Sequence, residues 1–185
     1  MINEILPEAL RQPFGKVQVY YGDGKGKTTA ALGQAVRAFG NGRRVAFIYF
    51  DKGGENYNER KVLDQLGIKY YSFGRDRRSP DGGFDFSLRE EDVAMAGQSL
   101  DKLKEIENDY DLIVIDEVLN AIRLKMMTED DLIGYLKNKP VNLELVLTGR
   151  GLTDNLRQHV DLITEMKLEK HYFDQGIGAR EGIEY

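Results

Sequence analysis

Residues 16–29 read KVQVYYGDGKGKTT, and this stretch decides the fold. Lys16–Tyr21 is short, β-prone and mostly apolar, so it reads as a buried strand. Gly22–Thr29 then sets three glycines and two lysines ahead of paired threonines. Glycine lets the main chain curl until several N–H groups point inward. The helix that follows adds the partial positive charge of its first turn, which attracts phosphate oxygens. Lys27 supplies a mobile point charge for those oxygens, and the Thr28 hydroxyl suits Mg²⁺. A strand before the loop and a helix after it form the context in which such a pattern is specific.

Outward from the loop, strands and helices alternate. Thr28–Gly40 is expected as a helix with Leu32, Ala35, Val36 and Phe39 on one face, stopped by Gly40-Asn41-Gly42. Arg44–Phe50 reads as a second buried strand and Ile68–Phe73 as a third. Arg75–Ser87, rich in Gly, Asp and Arg, reads as a loop. A helix over Glu90–Glu107 would bury Val93, Ala96, Leu100 and Leu103. The apolar strand Tyr110–Ile115 runs into Asp116-Glu117, and Thr128 with Asp131 forms a capping box that starts a helix to about Asn138. Leu143–Thr148 is a further strand ending at Gly149-Arg150-Gly151, and Leu162–Leu168 is the last before a polar tail.

Alternation of this kind implies crossover connections and a mainly parallel sheet covered on both faces. Ligands of such sheets bind beyond the carboxyl ends of the strands. The Gly22 loop, Phe50–Gly53, Asp116-Glu117 and Thr148–Gly151 would share that edge. The expected fold class is therefore α/β: a P-loop NTPase (RecA-like) three-layer fold with a mainly parallel central sheet. Residues 15–185 would form one P-loop domain. Residues 1–14 would be an N-terminal arm, with Ile2, Ile5, Leu6, Ala9 and Leu10 at helical spacing ahead of Pro13.

The net charge of −5 disfavours general nucleic-acid binding, which needs a basic footprint. Arg75, Arg77 and Arg78 form the one short basic cluster and read as a solvated loop. No apolar run reaches the ~18 residues of a membrane span, no signal peptide is visible, and there are no cysteines. A cytoplasmic protein is the expectation.

Asp116 and Glu117 fit the second metal-site element of a P-loop protein, with Glu117 nearest Mg²⁺, directly or through water, and Asp116 supporting. The bland alternative is a pair that caps the next helix. Lys52 and Arg150 each fit either a phosphate contact or a loop ion pair. His171, with no second ligand at metal spacing, reads as structural. The loop departs from G-x-x-x-x-G-K-[ST] at its first position, where this chain has Tyr21.

With Gly22–Thr29, Phe50-Asp51-Lys52-Gly53, Asn58-Glu59-Arg60, Asp116-Glu117, Thr148–Gly151 and Lys170-His171-Tyr172-Phe173-Asp174 in hand, the chain resembles the P-loop type of ATP:cob(I)alamin (corrinoid) adenosyltransferase, from about Gly15 to Tyr185. The resemblance implies transfer of the 5′-deoxyadenosyl group of ATP to the Co(I) of a reduced corrinoid, with release of triphosphate, in cobalamin biosynthesis or salvage. It implies ATP and Mg²⁺ as cofactors, the corrinoid as co-substrate, a reductase or flavoprotein as electron donor, and a homodimer in which the arm covers an active site. The ATP would lie reversed, its C5′ rather than its γ-phosphorus at the reaction centre. No side chain would act as nucleophile or base. Gly22, Asp23, Gly24, Lys25, Gly26, Lys27, Thr28, Thr29, Lys52 and Arg150 would bind ATP, with Lys25, Lys27 and Arg150 stabilising the triphosphate. The family's F-T-W-D segment falls on Gly82-Gly83-Phe84-Asp85, so Phe84 would stand for its Trp against the corrinoid, while Gly82 replaces the first aromatic.

Two other functions compete. An ordinary P-loop ATPase or kinase would transfer the γ-phosphoryl group and leave ADP. A non-catalytic ATP-binding or corrinoid-carrier module would bind without turnover.

Overall fold

β1 (Val17–Tyr21) forms where expected because Val17 and Val19 have apolar layers to enter on one side of a sheet. The structure is a computed structural model that describes residues 14–54, 57–77, 85 and 87–184. The expected arm thus lies outside the described residues apart from Phe14, and so do Arg78, Gly82, Gly83 and Phe84. The remaining strands are β2 (Val45–Tyr49), β3 (Lys69–Ser72), β4 (Leu112–Asp116), β5 (Glu144–Gly149) and β6 (Leu162–Glu165). They lie in the order β3-β2-β4-β5-β1-β6, and every pair is parallel.

β2 and β4 are buried on both faces, which is why their sequences are unbroken apolar runs rather than alternating ones. Val45, Phe47 and Tyr49 of β2 face α1 (Lys27–Gly40) and α2 (Asn58–Leu66). Ala46 and Ile48 face the opposite layer, built from α3 (Glu90–Ile106), α4 (Val118–Arg123), α5 (Glu129–Asn138) and α6 (Asp154–Arg157). The α/β three-layer expectation holds. The capping box of α5 also forms: Thr128 Oγ1 accepts from Asp131 N–H at 3.2 Å, and the Asp131 carboxylate accepts from Thr128 N–H at 3.1 Å.

Two helices are rotated relative to the expected stripes. α1 buries Ala31, Ala35 and Ala38, whereas Val36 is 49% exposed. An alanine stripe lets the helix backbone approach the sheet closely, and Leu32 and Phe39 flank the contact. α3 buries Asp92, Ala96, Ser99, Leu103 and Ile106 and leaves Val93 46% exposed. Its inner face holds a carboxylate because Arg75 and Arg77 reach it, at 3.2 Å each. Those two arginines are therefore not a solvated cluster. Arg77 is 6% exposed and also pairs with Asp51 at 2.5 Å, so two acids draw it into the protein.

β6 stops at Glu165, short of Leu168, because the next residues turn onto the glycine loop. Met166 N–H donates to Tyr21 O at 2.7 Å, and Gly24 N–H donates to Met166 O at 2.8 Å.

Candidate active site

The 22–29 loop leaves β1 and enters α1 at the carboxyl edge of the sheet, in a cleft of about 560 Å³. Pockets of this size suit a nucleotide-sized ligand. Gly24 is required by a close approach: a Cβ there would stand 2.7 Å from the carbonyl oxygens of both Met166 and Lys167. The loop is thus braced from behind by the 166–167 backbone before any ligand arrives. Tyr21, in place of the usual glycine, is accommodated because it is still part of β1, and its hydroxyl accepts from Arg157 at 2.7 Å. By helix geometry the amides of Lys27, Thr28 and Thr29 have no intrahelical acceptor, and the first α1 bond runs from Ala30 N–H to Gly26 O.

Four cations surround the loop, and they differ in their partners. Lys25 meets Glu184 at 2.6 Å, Lys52 meets Asp116 at 2.6 Å, and Arg150 meets Asp23 at 3.6 Å. Lys27 has no carboxylate within salt-bridge distance among the described residues. Its ammonium, half-buried, donates to Gly24 O at 2.7 Å. Burial pushes the Lys27 ammonium below its ordinary value. A cation held in that state favours an incoming anion.

β4 ends in Asp116, completely buried. Its Oδ1 accepts from the Thr28 hydroxyl at 2.9 Å and from the Thr148 hydroxyl at 2.6 Å, and Oδ2 faces Lys52. Strand β5, next to β4, thereby supplies a side chain that fixes the Asp116 carboxylate. Glu117 follows in the left-handed region (φ 62), an uncommon conformation for a residue with a Cβ, which costs on the order of 1 kcal/mol and marks functional sites. Thr148 holds it there by accepting from Glu117 N–H at 2.9 Å, and Asn120 donates to its carboxylate. Burial, then the neighbouring Asp116 charge, push the Glu117 carboxyl up. For Lys52, burial alone would lower the ammonium, but Asp116 and Glu117 outweigh it and raise it.

Lys52 also donates to the Thr28 hydroxyl at 2.9 Å. An ammonium between Thr28, Asp116 and, at 3.8 Å, Glu117 shows that this spot attracts positive charge. A hydroxyl and two carboxylates are hard oxygen donors that suit Mg²⁺, which keeps several waters and takes phosphate oxygens as well. No group of three acids or histidines stands ready for a metal among the described residues. The site fits a metal that arrives with its nucleotide.

Residue-level reading of the sequence missed Arg60 as a working part, and with it the whole of α2. Arg60 is 8% exposed and donates to Lys52 O and Gly54 O, each at 2.7 Å. Its guanidinium lies over the rings of Tyr49, Tyr57 and Tyr70 at 4.7, 4.6 and 5.7 Å. It shapes the turn that aims Lys52. Gly53 shares that turn and has no room for a side chain, since a Cβ would fall 2.2 Å from Gly74 O. Arg60→Ala is expected to destabilise the protein by about 2–4 kcal/mol, from the orphaned Gly54 carbonyl, the loss of one of two donors to Lys52 O (the Ser72 hydroxyl stays, at 2.6 Å) and an emptied aromatic cage. The denaturant midpoint checks this, and Arg60→Lys should recover only part of it because the bidentate fork is lost.

The remaining sequence candidates fall around the same cleft. Arg150 reaches its mouth, fixed by Arg150 N–H donating to Asn120 Oδ1 at 2.9 Å. His171 Nδ1 accepts from Phe173 N–H at 3.0 Å and so caps the 3₁₀ turn Tyr172–Gln175, a structural task. Residues 182–184 line the same cleft as the loop. Phe84 lies outside the described residues, but Asp85 is tied by Arg75 at 3.0 Å, and Asp85 N–H donates to Arg77 O at 2.8 Å.

A sequence profile described as "ATP:corrinoid adenosyltransferase BtuR/CobO/CobP" matches residues 14–185. The chain belongs to this family. Among curated members, the corrinoid adenosyltransferase of Escherichia coli strain K12 is 30% identical over 175 residues, 92% of this chain and 86% of that protein. The corrinoid adenosyltransferase of a Sinorhizobium species is 34% identical over 179 residues, 92% and 80% of the two chains. As a corrinoid adenosyltransferase, the chain carries out ATP-dependent adenosylation of a corrinoid. The flagellar accessory protein FlaH from Methanocaldococcus jannaschii, at 14% identity, superposes with a TM-score of 0.53 over 83% of this chain and 71% of its own. That likeness concerns the fold alone.

Proposed function

We propose that the 22–29 loop grips the triphosphate of ATP so that C5′, not the γ-phosphorus, faces the corrinoid. The Co(I) electron pair forms the new bond to C5′ as the C5′–O bond breaks, and that bonding pair departs with the triphosphate. No proton needs to move at carbon, so the protein's task is alignment and charge stabilisation. Lys27, the first-turn amides of α1 and Arg150 meet the triphosphate. Thr28, Asp116 and Glu117 hold Mg²⁺, partly through water, and Lys52 takes up phosphate contact or stays as their counter-ion. Mg²⁺, when bound, neutralises charge that grows on the leaving group. Phe84 and its neighbours would meet the corrinoid. Residues 15–185 would act as one domain in the cytoplasm, as a homodimer served by a reductase or flavoprotein, with the 1–14 arm over an active site.

The observation that carries this reading is Lys27: a half-buried ammonium bonded to a carbonyl, with no carboxylate at ion-pair distance among the described residues, at the head of a braced glycine loop. The test is incubation with MgATP and chemically reduced cobalamin, following the corrinoid spectrum and the phosphate product. Triphosphate and a shifted spectrum are expected. ADP with an unchanged spectrum would mean γ-phosphoryl transfer instead.

A further inference from the structure

Lys25 sits in the glycine loop, yet its ammonium points away from the role expected of it. It donates to Tyr172 Oη at 3.2 Å, to Ile183 O at 2.9 Å and to Glu184 Oε1 at 2.6 Å. An ammonium has three N–H donors, and here each has an acceptor on the 172–184 segment. Glu184 is in turn drawn in by Arg180, whose backbone N–H donates to it at 2.7 Å, and by the Tyr172 hydroxyl. Residues Gly182, Ile183 and Glu184 line the same cleft as the loop. A phosphate contact by Lys25 would cost at least one of these bonds, whereas Lys27 has only a carbonyl to give up.

We infer that Lys25 is a positioning residue: it ties the 172–184 segment across the nucleotide cleft through Glu184, and acts on ATP by way of that strap rather than by touching phosphate. The inference rests on the reading of the cleft as the ATP site. The strap covers one side of the bound nucleotide and limits its escape, so its loss weakens ATP binding without removing charge from the leaving group. Arg180, held by Glu184 and Tyr172, is already half exposed, and release of the strap frees its backbone to extend into trypsin.

The test uses Lys25→Met, Glu184→Gln and their double variant, with Lys27→Ala beside them. Calorimetric titration with MgATP measures binding, and mass spectrometry follows trypsin release of the peptide after Arg180. Each single variant is expected to weaken binding about 3- to 10-fold, the scale of a partly exposed ion pair with added hydrogen bonds. The double variant should be no worse than the weaker single one. KM for ATP should rise while kcat stays within about 3-fold, as for interactions equal in ground and transition states. Peptide release should quicken in all three and remain at the wild-type rate in Lys27→Ala. The inference is overturned if Lys25→Met keeps its full effect in the Glu184→Gln background, lowers kcat strongly, or leaves peptide release unchanged. If Lys27→Ala binds MgATP as the wild type does, the cleft itself has been misread, and the fault lies there rather than in the strap.

Discussion

Lys27→Ala is expected to abolish measurable adenosyl transfer, lowering kcat/KM by at least about 10²-fold, or about 2.7 kcal/mol of transition-state stabilisation. Three site cations have carboxylate partners and would have to break an ion pair to reach a phosphate. Among the described residues Lys27 has none at ion-pair distance, and its burial already penalises its charge, so an anion at the loop regains free energy there without displacing a carboxylate. The fold should survive, because the one side-chain hydrogen bond lost with Lys27 is a part-buried one to Gly24 O, and no ion pair is broken. A steady-state assay of triphosphate release, with the thermal midpoint as control, checks both halves. Lys27→Arg is not expected to rescue, since a planar fork cannot follow the path of a compact ammonium. A variant that keeps wild-type turnover would show that the triphosphate lies elsewhere.

Asp116→Ala is expected to remove activity and stability together. Asp116 binds the Thr28 and Thr148 hydroxyls and Lys52, with no exposure to solvent. Its loss leaves Lys52 buried with Glu117 at 3.8 Å as its remaining carboxylate, a situation that costs about 3–5 kcal/mol. The denaturant midpoint should drop accordingly, with the slope unchanged. Pairing Asp116→Asn with Lys52→Met removes both charges and keeps the volumes similar, so most of the stability should return. Activity should not return with it, nor its dependence on Mg²⁺ concentration. A stable and active double variant would exclude Asp116 from holding the metal.

The strands were legible because β2 and β4 are sealed on both faces, and a sealed strand can only be a run of apolar residues. The loop was legible because glycines, lysines and threonines between a strand and a helix have few other uses. What periodicity misplaced were the faces of α1 and α3. In α1 the larger residues Leu32, Val36 and Phe39 suggest the stripe, but close packing selects Ala31, Ala35 and Ala38. In α3 the buried Asp92 is matched by arginines 15 and 17 positions earlier in the chain, and such pairing leaves no periodic trace. α2 was passed over because Leu63 is its one buried aliphatic side chain, and Arg60 enters through a tyrosine cage rather than an apolar stripe. The reach of Lys25 to Glu184 spans 159 positions, beyond anything spacing can reveal.

The strand order carries a consequence for how the protein is made. β1 is synthesised first, but its hydrogen-bonded neighbours are β5 and β6, the last two strands to leave the ribosome. Until about residue 144 has emerged, β2, β3 and β4 can zip together while the opening strand waits with both edges bare, exposed to wrong partners. The 22–29 loop, though it precedes every strand but β1, is among the last features to acquire its shape. Early ATP therefore cannot template folding; it can only stabilise a chain that is already whole.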